Sequence, residues 1–277
     1  MCRFLKISES GYYRWLKNQS KPSKVQLLLV EINKILSEHE DNDNYGVRRM
    51  HTALEQHNVQ VSLRTVYRAM KTSGLLHKRR IPHGITRADA EMQERENLIK
   101  QNFYADKPLT KLLTDITEVP CSDGKLYVSP IMDCFNGEIV TLEMRDNMKK
   151  ELCTDTVEQL KNRFGKQLDG AILHSDRGCQ YTSHAFRRTL VASGIVQSLS
   201  STAHCYDNAR MESFFATLKK EKLYRIPTHR MTRNEVRTII FKYIFGYYNT
   251  VRVTSFNPGG LPPVAYKEQY LSQKSAA

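Results

Sequence analysis

Three strand-like segments follow one another after Pro108, and they restrict the fold more than any other feature of the chain. Their sequences are KLLTDITEV, KLYVSPIMDCF and EIVTLEM, which are rich in apolar and β-branched residues. Turn residues separate them at Ser122-Asp123-Gly124 and at Asn136-Gly137, as in tight hairpins. The segments therefore predict an antiparallel meander.

The chain beyond this meander alternates between helix and strand patterns. A helix is predicted over 150–164, a strand at AILH, a helix over 183–193 and a strand at IVQS. Adjacent strands followed by strands that alternate with helices belong to one mixed sheet with helices on its faces. The fold class is therefore α/β, with a mixed five-stranded sheet flanked by helices.

The N-terminal part of the chain has helical periodicity instead. Apolar residues over 25–36 recur at i, i+3, i+4 and i+7, which predicts an amphipathic helix. Shorter helices are predicted over 47–56 and 62–71. Two short helices joined by a tight turn after a longer one indicate a small all-α helix-turn-helix region.

These patterns divide the chain into four parts. The helical region covers 1–87 and a connector covers 88–108. The α/β core covers 109–230. The last part, 231–277, is predicted to contain a helix over 232–249 and a tail, both packed on the core.

Positive charge is concentrated in the helical region. The net charge of the chain is +13, and residues 1–87 contain 16 Lys or Arg against 7 Asp or Glu. Such a balance predicts double-stranded DNA as a partner. Cations on one face of the third helix, and a basic run after it, suit phosphates and guanine edges. These DNA-binding candidates are Arg64, Arg68, Lys71, Lys78, Arg79 and Arg80. The alternative is a solvated face on a small helical domain.

Other classes of protein are excluded by what the sequence lacks. No apolar run approaches the roughly 18 residues that a membrane span needs. The N-terminus has no apolar signal segment, and the six cysteines form no CxxC pair that would indicate a zinc site. We therefore expect a cytoplasmic protein with no membrane partner.

Three carboxylates lie on separate predicted elements. Asp115 is inside an apolar strand, Asp176 follows another strand, and Glu212 is on a helix 35 intervening residues later. A buried carboxylate is costly unless it is paired or binds a metal. Oxygen ligands of this kind suit Mg²⁺ or Mn²⁺, and two such ions can assist an in-line displacement at phosphorus. We predict that Asp115, Asp176 and Glu212 are catalytic metal ligands.

Other side chains compete for these roles. Asp133, on the second strand, is the strongest rival of Asp115. His174 is a candidate metal ligand or base. We prefer the interpretation that it is a hydrogen-bonded structural residue. Asp207 and Asn208 are more consistent with a helix cap than with a metal site. Further acidic alternatives are Asp123, Asp146 and Asp169.

The predicted helix after residue 208 carries a mixed face. Glu212, Phe215 and Lys219 lie at i, i+3 and i+7 and therefore share one stripe. Lys219 is a candidate contact for a DNA phosphate or base. Lys220 is rotated by about 100° and is expected to lie off this stripe.

At this point the motifs carry a resemblance. LLTDIT, HSDRGCQYTS, CYDNARMESFFATLKKE and YYNTVR resemble the OrfB-type transposases of the insertion sequence 3 group, and the resemblance covers nearly the whole chain. The cores of that group are similar to retroviral integrases, with an RNase H-like fold and a D…D…E triad. The resemblance assigns the triad to Asp115, Asp176 and Glu212, and a DNA-contacting cation to Lys219.

The resemblance also implies a function and partners. The expected activity is metal-dependent cleavage and strand transfer of insertion-sequence DNA in a nucleoid-associated, bacterial protein. An upstream OrfA product, fused or in trans, and further copies of the chain on DNA are the implied protein partners. The alternatives are a catalytically weak DNA-binding regulator and an RNase H-like nuclease.

The sequence departs from the family pattern at three places. Leu113 stands where tryptophan is frequent, the loop before CYDNA lacks a frequent glycine, and RVTS replaces the usual segment after YYN. None of these changes removes a predicted ligand. The loop change leaves the shape of that loop open.

Overall fold

The structure, a computed structural model, describes residues 8–18, 23–76, 97–200 and 205–275. Within the chain, Met1–Arg80 and Ile81–Ala277 form two compact units, which are described separately below. The domain boundaries drawn from the sequence stay a prediction.

The first unit is helical. Ser23 begins the second helix with a reciprocal capping box to Gln26, and the Ser62 hydroxyl caps the fourth by accepting from the Thr65 N–H. Leu28, Ile32, Met50 and Leu54 are buried between the helices. The four helices are α1 (Glu9–Asn18), α2 (Lys24–Ser37), α3 (Val47–Gln56) and α4 (Leu63–Thr72).

Helix α4 has a buried face and a basic face. Val66 and Met70 are buried, as predicted from their spacing. Arg64, Arg68 and Lys71 are exposed on the outside of the helix. The remaining basic candidates, Lys78, Arg79 and Arg80, lie outside the described residues.

The second unit is built on a mixed sheet. Strand β3 pairs antiparallel with β1, β2 and β4, whereas β1, β5 and β6 are parallel neighbours. The strands are β1 (Lys111–Thr114), β2 (Thr117–Cys121), β3 (Gly124–Asp133), β4 (Ile139–Arg145), β5 (Ile172–Ser175) and β6 (Val196–Leu199). The predicted α/β class and mixed sheet are confirmed.

The expected number of five strands is corrected to six, because the first predicted strand is broken at Asp115 and Ile116. Its two halves, β1 and β2, pair with successive parts of the same strand β3. Continuing the β1 register places Pro130 opposite Asp115. Proline has no N–H to donate to the ladder there, and the Ile116 N–H is taken by the Asp115 carboxylate at 2.8 Å. The break therefore has a local cause in both strands.

Helices cover the sheet and close the core. Leu112, Ile131 and Leu173 from the strands pack in one buried cluster with Val157 and Phe186 from the helices. The helices of this unit are α5 (Lys150–Phe164), α6 (Cys179–Thr182), α7 (His184–Ala192), α8 (Ala209–Glu221), α9 (Arg233–Phe241) and α10 (Pro263–Ser275).

The predicted helix over 232–249 is present but changes type. After α9 the chain continues as a π-helix over Lys242–Tyr248. Val236, Ile240, Tyr243 and Tyr247 of the predicted apolar stripe are buried. Across the described ranges, no helix combines the length and apolar character needed to cross a bilayer.

Mutation of the exposed cations of α4 tests whether this helix binds DNA. Substituting Arg64, Arg68 and Lys71 together by alanine should weaken DNA binding and flatten its salt dependence, since each lost phosphate contact removes about 0.9 from the slope of log K against log salt. A fluorescence-anisotropy titration of duplex DNA at several salt concentrations measures both quantities.

The control removes the same charge from exposed positions of α1 and α2, namely Arg14, Lys17 and Lys34. Equal losses in the two triple variants would mean that only net charge matters, and α4 would not be the recognition helix.

Candidate active site

Asp115 lies at the break between β1 and β2. Thr114, the last residue of β1, is fixed to the neighbouring strand because its hydroxyl donates to the Pro130 carbonyl at 2.9 Å. The side chain of Asp115 is partly buried and accepts the Ile116 N–H through Oδ1. At the break, Asp115 is therefore not part of the strand pairing, and its carboxylate is held beside the sheet by the bond to Ile116.

Asp176 follows β5 beside this break. Strands β1 and β5 are parallel, with Leu113 opposite His174, so the continued register places Asp115 and Asp176 at the same level. Neighbouring strands are about 4.8 Å apart. The exposed Asp176 carboxylate accepts the Gly178 N–H at 3.0 Å, which shapes the turn into α6.

His174 supports this strand end and is not available as a ligand. Its ring is fully buried, with Nδ1 hydrogen-bonded to Ser198 at 2.8 Å and Nε2 to Ser200 at 3.0 Å. Burial lowers the pKa of His174 to about 4, so the ring is neutral near pH 7. The preferred structural interpretation of His174 is confirmed.

Glu212 is in the first turn of α8, which is anchored at its start. Asn208 occupies the N-cap position but makes no side-chain cap; its amide donates to the Thr114 carbonyl at 3.2 Å. This bond ties the start of α8 to the residue before Asp115. The expected cap by Asn208 is therefore wrong, because the side chain bridges to the sheet instead.

Arg210 fastens the same turn from another side. Its guanidinium donates to the carbonyls of Cys134 at 2.8 Å and Phe103 at 3.2 Å, and it lies 3.8 Å from the Phe256 ring centroid. Burial lowers the pKa of Arg210 from its ordinary value. No local pattern singles out Arg210 in the sequence, although it lies inside the DNARMESFF motif.

The YYNTVR motif holds the other end of α8. Arg252 forms two hydrogen bonds with Glu221, at 2.8 and 2.9 Å, and both side chains are nearly buried. The Tyr243 hydroxyl donates to the same carboxylate at 2.8 Å. Asn249 bonds both the N–H and the carbonyl of Ile139, each at 3.0 Å. Tyr243 and Arg252 therefore tie the end of α8 to the segment over 243–252, and Asn249 ties that segment to the sheet.

The two anchored elements face each other across a pocket of about 410 Å³. Asp115 from the strand break and Glu212 and Lys219 from α8 line it, with Phe215 between the two charged residues of the helix. Asp115, Glu212 and Lys219 are thus brought to one site. Lys220 and Tyr224 line it as well, so the pocket extends beyond the stripe of Glu212, Phe215 and Lys219.

Asp176 is also close enough to affect the charge state of Asp115. Burial raises the pKa of Asp115 to about 7, and the negative charges of Asp176 and Glu212 raise it as well. The Ile116 N–H and the Lys219 ammonium oppose the rise. A cation that bound here would stabilise the charged form of Asp115, because its positive charge offsets both the cost of burial and the repulsion from the other acids.

The carboxylates are near one another without forming a closed cage. Within the described ranges, no three His, Cys, Asp or Glu side chains are grouped closely enough to hold a metal ion. Oxygen atoms remain free nevertheless: among the described residues, Asp115 and Asp176 each use only Oδ1 in a hydrogen bond, and Glu212 uses neither oxygen. The donors suit a hard cation in number and type.

The rival acids have structural partners. Asp133, the main rival, is buried and accepts the N–H groups of Leu109 at 2.8 Å and Phe135 at 2.9 Å. Burial raises the pKa of Asp133 to about 6. Asp207 accepts from the Asn97 amide at 2.8 Å. These bonds account for both carboxylates without a metal.

Known protein families match the chain in three segments. An HTH-like domain matches residues 24–83, and two integrase core domain families match 105–205 and 212–271. The second and third segments together contain Asp115, Asp176 and Glu212.

Curated relatives match almost the full length. The uncharacterized 31 kDa protein of insertion element IS600 from Shigella sonnei is 33% identical over 98% of this chain and 98% of its own. Transposase InsF for insertion sequence IS3A from Escherichia coli (strain K12) is 30% identical over 98% of this chain and 94% of its own. The chain belongs to the insertion-sequence transposases. The resemblance based on its motifs and the RNase H-like fold class are confirmed.

A solved structure also resembles the transposase. The HTLV-2 integrase catalytic core domain in complex with magnesium is 15% identical, with a TM-score of 0.44 over 58% of this chain and 98% of that one. A similarity this low adds nothing to what the relatives show.

Removing the Arg252 side chain that bonds the end of α8 should greatly lower the free energy of unfolding. Arg252→Ala removes two hydrogen bonds and the opposite charge from the nearly buried Glu221 carboxylate, and breaking such a pair costs about 3 kcal/mol or more. Lys125→Ala removes an exposed partner of Glu118 and should cost no more than about 1 kcal/mol. Urea unfolding of the full chain, followed by circular dichroism, compares the two. Equal losses of unfolding free energy in the two variants would contradict this role of Arg252.

The raised pKa of Asp115 predicts how stability depends on pH without metal. Between about pH 4 and 7 the folded carboxyl holds a proton that the unfolded one has lost, so its contribution to stability falls as pH rises through this range. In chelator at pH 8, Asp115→Asn should therefore raise the melting temperature, and the gain should shrink toward pH 5.

Glu235 provides a control of opposite sign, since hydrogen bonds from Thr232 lower the pKa of Glu235. Glu235→Gln should lower the melting temperature at pH 8 and lose this effect in acid. A destabilised Asp115→Asn protein at pH 8 would contradict the electrostatic account.

Proposed function

We propose that this transposase cleaves and joins DNA strands at the pocket between the strand break and α8, with Asp115, Asp176 and Glu212 as ligands of Mg²⁺ or Mn²⁺. The observation that carries the proposal is the joint lining of one pocket by Asp115, Glu212 and Lys219. The electrostatic influence of Asp176 on Asp115 supports including it.

The free carboxylate oxygens fit a hard divalent cation. Three acids supply a charge of −3, and Mg²⁺ is bound through a few carboxylates with positions left for water and phosphate. Two such ions, when bound, activate the attacking oxygen and stabilise the leaving oxygen in an in-line displacement at phosphorus. The family resemblance assigns the same three residues to this role.

The residues of the chain itself position the substrate. Lys219 is seven residues after Glu212, about 10 Å along the helix axis, and its ammonium already influences Asp115. It offers a charge-assisted contact to the phosphate or base beside the scissile bond. The apolar ring of Phe215 between them is buried and excludes water from the floor of the pocket.

Double-stranded DNA is the proposed substrate, as insertion-sequence ends and as target. The exposed cations of α4 and the match to an HTH-like domain support duplex binding by the first unit. Joining two ends to one target requires more than one active site, so we also propose assembly of several copies on DNA. An OrfA product, fused or in trans, is the proposed source of further end recognition.

Replacement of the three acids tests the proposal. Asp115→Asn, Asp176→Asn and Glu212→Gln keep the shape of each side chain but remove the charge that a cation needs. Nicking and joining of the DNA that flanks the gene should fall by several orders of magnitude in magnesium. Folding should persist, because removing an anion from such a group relieves repulsion. Gel analysis of labelled DNA separates nicked from joined products.

Asp133→Asn is the matched control, because Asp133 has two backbone partners and is buried away from the pocket lining. It should lower stability more than it lowers the activity of the folded protein. If Asp133→Asn abolished catalysis while Asp115→Asn was mild, Asp115 would be the wrong ligand. Nicking without any joining would favour a nuclease.

Exchange of the metal is the second test. Calcium takes more ligands in a looser geometry than magnesium does. Calcium should therefore support DNA binding with little cleavage, whereas magnesium and manganese should support both. Full cleavage in the presence of a chelator would rule out the metal mechanism.

A further inference from the structure

The pocket continues beyond the acids toward the end of α8. Along that helix Glu212, Phe215, Lys219 and Lys220 line it at i, i+3, i+7 and i+8. Tyr224, in the short 3₁₀ turn Leu223–Arg225 that follows α8, completes this end. Along the helix, Glu212 therefore lies at the start of this lining, and Lys220 and Tyr224 lie at its other end.

The second end has the chemistry of a nucleotide site. Phe215 is buried and provides an apolar floor, whereas 59% of Tyr224 is exposed at the rim. Lys220 is exposed, and within the described part of the chain neither Lys219 nor Lys220 forms a salt bridge. Single-stranded nucleic acid is bound by this combination, an aromatic platform for a base beside cations for the backbone.

We infer that Tyr224 and Lys220 form a subsite for an unpaired nucleobase of the DNA strand under reaction. The Tyr224 ring stacks on the base, and the Lys220 ammonium contacts the adjoining phosphate. The inference rests on the proposed function, because it takes the scissile phosphate to lie at Asp115 and Glu212. It adds a position where the enzyme senses that the DNA end has opened.

The length of α8 limits which base is bound. Glu212 and Lys220 are eight residues apart, about 12 Å along the axis at 1.5 Å per residue. Successive nucleotides of a duplex strand rise by about 3.4 Å. The bound base is therefore within about three nucleotides of the scissile phosphate.

The base must be unpaired to reach the ring. Inside a duplex both faces of a base are stacked, and the aromatic side chain has no face to contact. Extracting a base costs a few kcal/mol in a closed duplex and less where the strand is already open. The subsite therefore favours DNA whose end is frayed or already nicked over intact duplex.

An abasic scan tests the subsite by equilibrium binding in calcium. DNA ends carry a single abasic position at each of the three nucleotides on either side of the scissile phosphate, in both strands. Wild type and Tyr224→Leu are titrated with every DNA, and Tyr224→Phe tests whether the ring alone suffices. Tyr104→Leu is the control, because Tyr104 is as exposed but does not line this pocket.

One abasic position should weaken binding by wild type about 5- to 150-fold, the range of a base–aromatic stack. Tyr224→Leu should bind DNA without an abasic position more weakly than wild type does, by the same factor. An abasic nucleotide at that position should not weaken its binding further. Tyr224→Phe and Tyr104→Leu should bind like wild type. Lys220→Ala should weaken binding to every DNA and reduce the salt slope by about 0.9, as expected for one phosphate contact.

Two outcomes would overturn the subsite. One is an abasic scan in which wild type and Tyr224→Leu respond alike at every position. The other is a loss confined to Lys220→Ala, which would mean a phosphate contact without a base. Neither outcome affects the proposed function, which is judged separately by whether wild type nicks the same DNA in magnesium.

Discussion

Burial of the Asp115 carboxyl beside two other acids is the constraint on which the rest of the candidate active site depends. The pKa of Asp115 is raised to about 7 because the group is buried and because Asp176 and Glu212 lie close to it. Both effects disfavour the charged form of the group in the folded chain. The chain must therefore supply bonds that hold each element in place while the charges oppose one another.

These bonds are concentrated at the two ends of α8. At its start, Asn208 is tied to the Thr114 carbonyl and Arg210 to two further carbonyls. At its end, Glu221 is held by Arg252 and Tyr243. The residues between these anchors take no part in this bonding, so the pocket face of α8 is left to Glu212, Phe215 and the two lysines. Anchors at both ends of the helix would keep the geometry of the proposed site constant when DNA and cations bind.

Much of this could be predicted from sequence, because local patterns determine it. The strands, the helices and the acids Asp115, Asp176 and Glu212 follow from periodicity, turn residues and motif resemblance. The strand break at Asp115 could not be predicted from one segment alone, since it also depends on Pro130 in the paired strand. The partners of Asn208, Asn249 and Arg252 are distant in sequence, and no local pattern identifies them. The part played by Lys220 in the pocket lining could not be predicted either, because a helical wheel shows angles but not the width of a pocket.

We propose above all that Asp115, Asp176 and Glu212 together bind one kind of divalent cation. Anomalous scattering from crystals soaked in Mn²⁺ tests this most directly, because the metal positions appear without reference to activity. We predict a peak in contact with oxygens of all three side chains, at roughly the 2.0–2.2 Å typical of small divalent cations bound by oxygen. Peaks only at other acids, such as Asp123 and Asp146, or no peak at saturating Mn²⁺, would contradict the claim.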